Sequence, residues 1–304
     1  MIFRFINVNL FLFLFILLKF ASAQGKYDIS LAEDSLKLLS DKIQNAENDS
    51  IRYILNYRFE QTFYRSLLNQ GSFDYPFDSL KTIAKITSPD KKFRIYNWNL
   101  PKGDGTNIYF GFIQLTPKVN KDHFVFRLSD CSDSIPEPES ASLDYRSWFG
   151  CLYYKIILTS FNNQKYYTLL AWDGINPQLS QKMFEVLWFD SVNQPHFGAR
   201  IFKKSGNDQS CRIFFKYSST SSMLLTYDDQ YITQNKKWNP AKRKFESKTE
   251  KISMIVCDEL IPLDSQLEGQ FEFYVPSSEV FDGFIFNEGC WYFHKDIDVR
   301  NERQ

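Results

Sequence analysis

Acidic residues at predicted strand ends are the groups of this chain best suited to acid–base chemistry. Hydrolysis of a glycosidic bond uses two carboxyl groups across a cleft, one of them with a raised pKa. Five acids lie where strands are predicted to end or turn: Asp173, Glu185, Asp258, Asp282 and Glu288. Asp173 and Asp282 each precede glycine, and Asp-Gly pairs commonly form turns. The sequence therefore leaves two interpretations, a carboxylate-dependent hydrolase acting on polysaccharide and simple turn formation.

A basic segment that contains aromatic residues is the second candidate site. Residues 235–251 hold seven Lys or Arg side chains and two glutamates. A cationic loop with an aromatic side chain can hold an anionic glycan, a lipid headgroup or a peptide. A solvated surface loop is the other interpretation. The candidate binding residues are Trp238, Lys242, Arg243 and Lys244.

The sequence lacks the usual spacings of metal, cofactor and nucleophile sites. The three histidines, His123, His196 and His294, are far apart and follow no zinc-type spacing. No glycine-rich phosphate loop and no G-x-S-x-G turn is present. We therefore expect no cofactor and no metal. The five cysteines contain no C-x-x-C pair, and we expect most of them to be small buried apolar residues.

The first 23 residues follow the pattern of a secretory signal peptide. Arg4 precedes the apolar run 10–18, and the small residues 21–23 follow it. We expect cleavage after Ala23 and export to the periplasm or the extracellular space. The run is shorter than the roughly 20 apolar residues that span a bilayer. No later run is long enough, so we expect no transmembrane segment after cleavage.

Composition favours a β-rich fold without affinity for nucleic acid. Aromatic residues make up 17% of the chain, and aromatic side chains favour strands. Lys and Arg total 36 and Asp and Glu also total 36, so the formal net charge is zero. A neutral chain has no overall attraction to polyanions, and we expect no nucleic-acid partner.

The hydrophobic pattern changes from helical to strand-like near residue 88, so we predict an α+β fold. A helical N-terminal segment covers 24–87, with helices over 29–47, 51–69 and 77–86. A large antiparallel β domain covers 88–296, and a polar tail covers 297–304. Within the β domain we predict one hairpin of 151–160 with 165–172 and another of 211–217 with 222–228. The alternative architecture is an irregular or partial β-propeller.

Several strings in the β region are similar to those of a known family. They are the stretch from Ser88-Pro89-Asp90 to Trp98, YYTLLAWDG (166–174), Glu185-Val186-Leu187, Phe197-Gly198, Asp258 with Leu260 and Pro262, and Asp282-Gly283-Phe284. With these strings the chain resembles a family of exported Bacteroidota proteins of uncharacterised function. Lys91 and Glu259 stand where that family usually has glycine and histidine. The resemblance implies export and a single fold over most of 88–294, and it implies no activity.

Taken together, these features predict an exported, envelope-associated protein. The first functional hypothesis is a non-enzymatic binding or interaction module whose partner is an envelope glycan or another protein. The alternative is the carboxylate-dependent hydrolase. A cleft that brings two acids about 5–10 Å apart would favour the hydrolase.

Overall fold

In this computed structural model, the described residues form two α-helices followed by a large β region. The structure describes residues 27–69, 71–117, 124–204, 208–233, 237–239, 243–246 and 249–297. The predicted leader and the polar tail beyond Ile297 lie outside these residues. Within them, no helix is long and apolar enough to cross a membrane.

The two helices are antiparallel neighbours with polar caps. Helix α1 covers Ile29–Gln44, and helix α2 covers Asp49–Leu67. The α2 cap is Asn48, whose Oδ1 accepts a hydrogen bond from the Ile51 N–H at 3.0 Å. The third helix predicted over 77–86 does not form. Phe77 has a φ of 52°, and the chain from Ala84 onward instead pairs with the next strand, so sheet pairing replaces the helix.

The first sheet is an antiparallel meander that supports the helices. Its strands follow chain order: β1 (Ala84–Thr87), β2 (Phe93–Pro101), β3 (Asn107–Leu115) and β4 (Val125–Ser129). Alternate side chains of β2 and β3 point to opposite faces. Tyr96, Trp98 and Phe112 therefore pack against Phe59 and Phe63 of α2 on one face.

The central sheet contains the predicted hairpin. Its strands are β5 (Leu143–Asp144), β6 (Leu152–Phe161), β7 (Gln164–Asp173), β8 (Leu179–Phe189) and β9 (Pro195–Phe197), in the order β5-β9-β8-β7-β6. The β6–β7 hairpin is confirmed, and Asn162 and Asn163 adopt the positive φ values that a tight two-residue turn needs. Strand β12 (Arg212–Ser218) pairs with the first part of β8.

The third sheet uses most of the C-terminal strands. They are β10 (Phe202–Lys203), β11 (Gln209–Ser210), β13 (Leu225–Thr233), β16 (Thr249–Pro262), β17 (Tyr274–Asn287) and β18 (Cys290–Ile297). Their order is β11-β10-β18-β17-β16-β13. The predicted hairpin of 211–217 with 222–228 is wrong, because β12 joins the central sheet while β13 joins the third. Two short strands, β14 (Lys237–Asn239) and β15 (Lys244–Glu246), form a separate pair.

Within the described residues, the helices and the three larger sheets form successive layers, and three apolar cores fill the spaces between these layers. The first core lies between the helices and the first sheet, and the second between the first and central sheets. The third lies between the central and third sheets. Burial of the central sheet on both faces explains the nearly continuous apolar run of β7. The α+β prediction is confirmed, and the described strands close into neither a barrel nor a propeller.

All five cysteines are free thiols. Cys151, Cys211 and Cys257 are buried, while Cys131 and Cys290 are partly exposed. Burial raises the pKa of the Cys151 and Cys257 thiols, which keeps them protonated at neutral pH. The expectation that most cysteines are small buried apolar residues is confirmed.

Candidate functional site

A cleft of about 750 Å³ opens beside the first sheet. Its walls come from helix α2, strands β3 and β4, the turn after β5 and the turn between β8 and β9. The lining residues are Glu60, Gln61, Tyr64, Phe112, Val125, Phe126, Arg127, Tyr145, Arg146, Val192 and Gln194. This volume lies in the range of small-molecule and cofactor sites.

A carboxylate–guanidinium pair joins the helix wall to the sheet wall. Arg127 donates from Nε to Oε1 of Glu60, and from Nη2 to Oε2 at 2.8 Å. The Glu60 side chain is 2% exposed, while that of Arg127 is 53% exposed. Burial raises the pKa of Glu60, and the Arg127 charge opposes that rise. The pair therefore fixes α2 against β4 while part of the guanidinium stays in contact with solvent.

Aromatic rings form the apolar part of the cleft. Tyr64 and Phe112 stack with centroids 5.9 Å apart and an interplanar angle of 30°. Phe126 and Tyr145 meet edge to face at 5.2 Å. The guanidinium of Arg146 lies 4.7 Å from the centre of the Tyr145 ring, where the ring attracts a cation. Each of the four rings therefore has an aromatic neighbour in the wall of the cleft.

The turn between β8 and β9 supplies the outer rim. Asp190 holds its shape, because Oδ1 accepts hydrogen bonds from the backbone N–H groups of Val192 and Gln194 at 3.0 and 2.8 Å. His196 contacts Oδ2 of the same carboxylate at 3.2 Å. These fixed backbone bonds place the Gln194 amide and the exposed Val192 side chain at the mouth of the cleft.

The cleft combines flat apolar rings, an exposed guanidinium and neutral hydrogen-bonding groups. Sugars match such a set, because their C–H faces pack on aromatic rings while their hydroxyl groups need donors and acceptors. The guanidinium of Arg146 adds a fork-shaped donor for a carboxylate or sulfate group. No residue of this cleft was a candidate from the sequence. The clearest indication of the cleft in the sequence is Arg127, a charged residue between the apolar residues Phe126 and Leu128.

The basic residues predicted from the sequence lie elsewhere in the chain. The backbones of Trp238 and Phe245 pair in register, and so do those of Asn239 and Lys244. Arg243 is exposed and adopts a φ of 47° in the turn between them. Lys242 lies outside the described residues. The two short strands thus bring Trp238 and Lys244 onto one hairpin, and the binding role of these residues stays a prediction.

Glu185, one of the five predicted acids, is a structural residue of the central sheet. It pairs in register with Arg212 on β12, and both side chains are fully buried. Arg212 Nε lies 2.5 Å from Glu185 Oε2, an ionic contact without hydrogen-bond alignment. Tyr153 donates to Oε1. Burial raises the pKa of Glu185, and its two partners oppose that rise.

Asp173 is held in a buried network at the end of β7. Its Oδ1 accepts from Tyr109 Oη at 2.7 Å, and its Oδ2 accepts from Gln181 Nε2 at 2.7 Å. Tyr109 Oη in turn accepts from the Gly174 N–H at 2.9 Å, which directs the tyrosine proton to Asp173. Burial raises the pKa of Asp173 to about 6.

Two of the remaining predicted acids accept hydrogen bonds from backbone N–H groups, and the third lies in a turn. Asp258 Oδ2 accepts from the Leu224 N–H at 2.6 Å, and Asp282 Oδ1 accepts from the Asp296 N–H at 3.1 Å. Glu288 lies in the β17–β18 turn with a φ of 47°. Turn and backbone roles therefore account for three of the five acids. Within the described residues, no group of three or more His, Cys, Asp or Glu side chains could hold a metal ion.

Comparison of the chain with models of protein families, with curated proteins and with solved structures gave no match.

Proposed function

We propose that this protein is an exported, envelope-associated binding module that holds an acidic glycan in the cleft beside the first sheet. The leader pattern of residues 1–23 supports export. The observation that carries the binding role is the cleft itself, about 750 Å³ in volume and lined by aromatic rings and two arginines. A protein partner is the other partner class that the sequence predicts.

Charge in the cleft favours an acidic ligand over a neutral one. The carboxylate of Glu60 is neutralised by Arg127, so it does not repel an anion. Arg146 is exposed and makes no ion pair with a described residue, which leaves its guanidinium available for a ligand carboxylate. A guanidinium that binds a carboxylate through two parallel N–H bonds provides both affinity and orientation.

The geometry of the acids gives the hydrolase hypothesis less support. Asp173 pairs in register with Gln181, four residues from Glu185 on β8. That separation is about 13 Å along a strand, beyond the roughly 5–10 Å of glycosidase carboxyl pairs. Both oxygens of Asp173 already accept fixed hydrogen bonds, and Glu185 is enclosed by Arg212 and Tyr153.

Calorimetric titration with uronic-acid oligosaccharides tests the proposal, with neutral oligosaccharides of the same length as the comparison. We expect saturable binding of the acidic series by the mature chain. Arg146→Ala should weaken it about fivefold to tenfold, because one charged hydrogen-bonding group is lost. Arg58→Ala is the matched control, since Arg58 is exposed on α2 and does not line the cleft.

Two results would contradict the proposal. One is equal affinity for acidic and neutral oligosaccharides, which would remove the role of the guanidinium. The other is the same loss of affinity in Arg58→Ala as in Arg146→Ala, which would indicate general surface charge. Absence of glycan binding together with capture of a protein by the wild-type cleft would favour the protein-partner hypothesis.

A further inference from the structure

A second cavity, of about 570 Å³, lies at the far end of the central sheet from the cleft's rim turn. The segment between β4 and β5 forms one wall, and β7, β8 and β12 form the other. Its lining includes four acids, the amide of Gln181 and the rings of Phe149 and Phe214. It shares no lining residue with the cleft of the proposed function.

The cavity is rich in acceptors. Asp133, Glu137 and Glu139 are exposed at its mouth, and none of them forms an ion pair with a described residue. Asp173 lies deeper and is 7% exposed. Lys216 is the cation of the lining, and its Nζ lies 5.8 Å from the ring centre of Phe271, a residue outside the lining. The mouth therefore carries excess negative charge.

A buried amide provides evidence of a different kind. Gln181 is 4% exposed, and its Nε2 donates to Asp173. Its Oε1 accepts no hydrogen bond from any residue that the structure describes. A buried carbonyl oxygen without a donor is unfavourable, and a bound N–H group would supply the missing hydrogen bond. This oxygen belongs to a side chain of the cavity wall. A ligand that satisfies it must therefore bring a hydrogen-bond donor.

Hydrogen bonds to backbone carbonyl groups hold the wall of the cavity that lies between β4 and β5. Arg212 Nη1 donates to the carbonyl oxygens of Pro138 and Ala141 at 2.9 and 2.6 Å. The Cys211 N–H donates to the Glu139 carbonyl at 2.7 Å. The rings of Phe149 and Phe214, 5.1 Å apart, supply an apolar surface. The segment between β4 and β5, here called the acidic segment, is therefore fixed to the central sheet by its backbone. Its carboxylates form no ion pair with a described residue, and that of Glu137 accepts a hydrogen bond from Ser140 Oγ at 3.3 Å.

We propose that this cavity binds an organic cation, an ammonium or guanidinium group on an apolar stem. The carboxylates at the mouth attract the charge, Gln181 Oε1 accepts one of its N–H groups, and Phe149 with Phe214 contacts the stem. An ammonium and a guanidinium group would make the same contacts with these residues, and the experiment distinguishes between the two.

The experiment titrates the mature chain with 1,5-diaminopentane and, separately, with Nα-acetylarginine amide. 1-Pentanol and glutarate serve as neutral and anionic probes with similar stems. Affinity is measured by calorimetry, and the Gln181 side-chain amide is followed by ¹⁵N NMR. We expect saturable binding of at least one cation with movement of the Gln181 amide signal, and weaker or no binding of pentanol and glutarate. Which cation binds better identifies the head group.

The triple variant Asp133→Asn, Glu137→Gln and Glu139→Gln removes the charge at the mouth and should lower the affinity about tenfold. Its control is the triple variant Asp34→Asn, Asp41→Asn and Glu47→Gln, which removes equal charge from exposed positions near the helices. The proposal is overturned if neither cation binds below about 10 mM. It is also overturned if both triple variants weaken binding equally, or if the Gln181 signal stays still while a cation binds.

Discussion

Arg212 and Glu185 face each other on adjacent strands, and both side chains are fully buried. Arg212 contacts the Glu185 carboxylate through Nε and holds the carbonyl groups of Pro138 and Ala141 through Nη1. One buried guanidinium thus joins β8, β12 and the acidic segment before β5. Burying a charge pair costs desolvation energy, so the pair is suited to specifying this arrangement as much as to stabilising it.

Loss of Arg212 should destabilise the fold strongly. Arg212→Met leaves the Glu185 carboxylate buried without its counter-charge, and breaking such a pair costs about 3–5 kcal/mol. The free energy of unfolding is measured by urea denaturation monitored by tryptophan fluorescence. The double variant Arg212→Met with Glu185→Gln should recover part of the loss, because no buried charge remains. Additive losses in the double variant would contradict the charge-pair explanation.

Asp173 should make the protein less stable as the pH rises. Its folded pKa is about 6 against an ordinary value of 3.8, so the folded state holds the proton more tightly than the unfolded chain. This contribution is complete below about pH 4 and is lost as the pH rises through about 6, in total about 3 kcal/mol. The groups around the carboxyl are the donors Tyr109 and Gln181 and the acids Asp130 and Asp133.

Asp173→Asn isolates this effect, because asparagine keeps the shape and cannot ionise. The Gln181 amide can turn over so that its oxygen accepts from the new amide group. The unfolding free energy of this variant, measured by urea between about pH 4 and pH 8, should fall less than that of the wild type. Asp34→Asn, at an exposed position on α1, should leave the wild-type profile unchanged. Parallel profiles for wild type and Asp173→Asn would show that burial does not raise this pKa.

Phe63 is the aromatic residue that ties the helices to the first sheet. It is fully buried, and its ring contacts those of Phe77, Tyr96 and Phe112. Phe63→Ala should lower the unfolding free energy by about 3–5 kcal/mol through lost contacts and a cavity. Tyr57→Ala, on the exposed side of the same helix, should change it by less than about 0.5 kcal/mol. Similar effects for both variants would mean that α2 does not depend on this core.

Local patterns predicted much of the fold. The sequence predicted helices α1 and α2 and the β6–β7 hairpin correctly. Each of them depends on residues that are close together in the sequence, such as the asparagine pair between β6 and β7. Pairing between distant segments was harder, and β12 illustrates why. The sequence pattern predicts β13 as its partner, yet β12 pairs with β8, and this pairing places Arg212 against the carboxylate of Glu185.

The candidate cleft could not be assembled from the sequence for the same reason. Glu60 and Arg127 are separated by 67 positions, and the rim residues near Asp190 come from a third segment. Each residue alone is an ordinary surface or helix residue, and only the packing of α2 on the first sheet brings them together. The five acids predicted from the sequence, by contrast, were chosen because they lie near strand ends and turns. Contacts within turns and within the sheets explain the presence of most of them.

The basic hairpin predicted from the sequence can be tested in a chain that also carries Arg146→Ala, because this change removes the exposed guanidinium that the cleft would offer to the same resin. Neutralising Lys242, Arg243 and Lys244 together with glutamine should abolish retention of the mature chain on a heparin-type resin, if this hairpin binds polyanions. Because the formal net charge of the chain is zero, its general attraction to the resin is small, and a change in retention reports on the substituted residues. Glutamine at Lys37, Lys42 and Arg58, which are exposed on or beside the two helices, removes equal charge and should leave retention unchanged. Unchanged retention in the first variant would show that the hairpin is only a solvated loop.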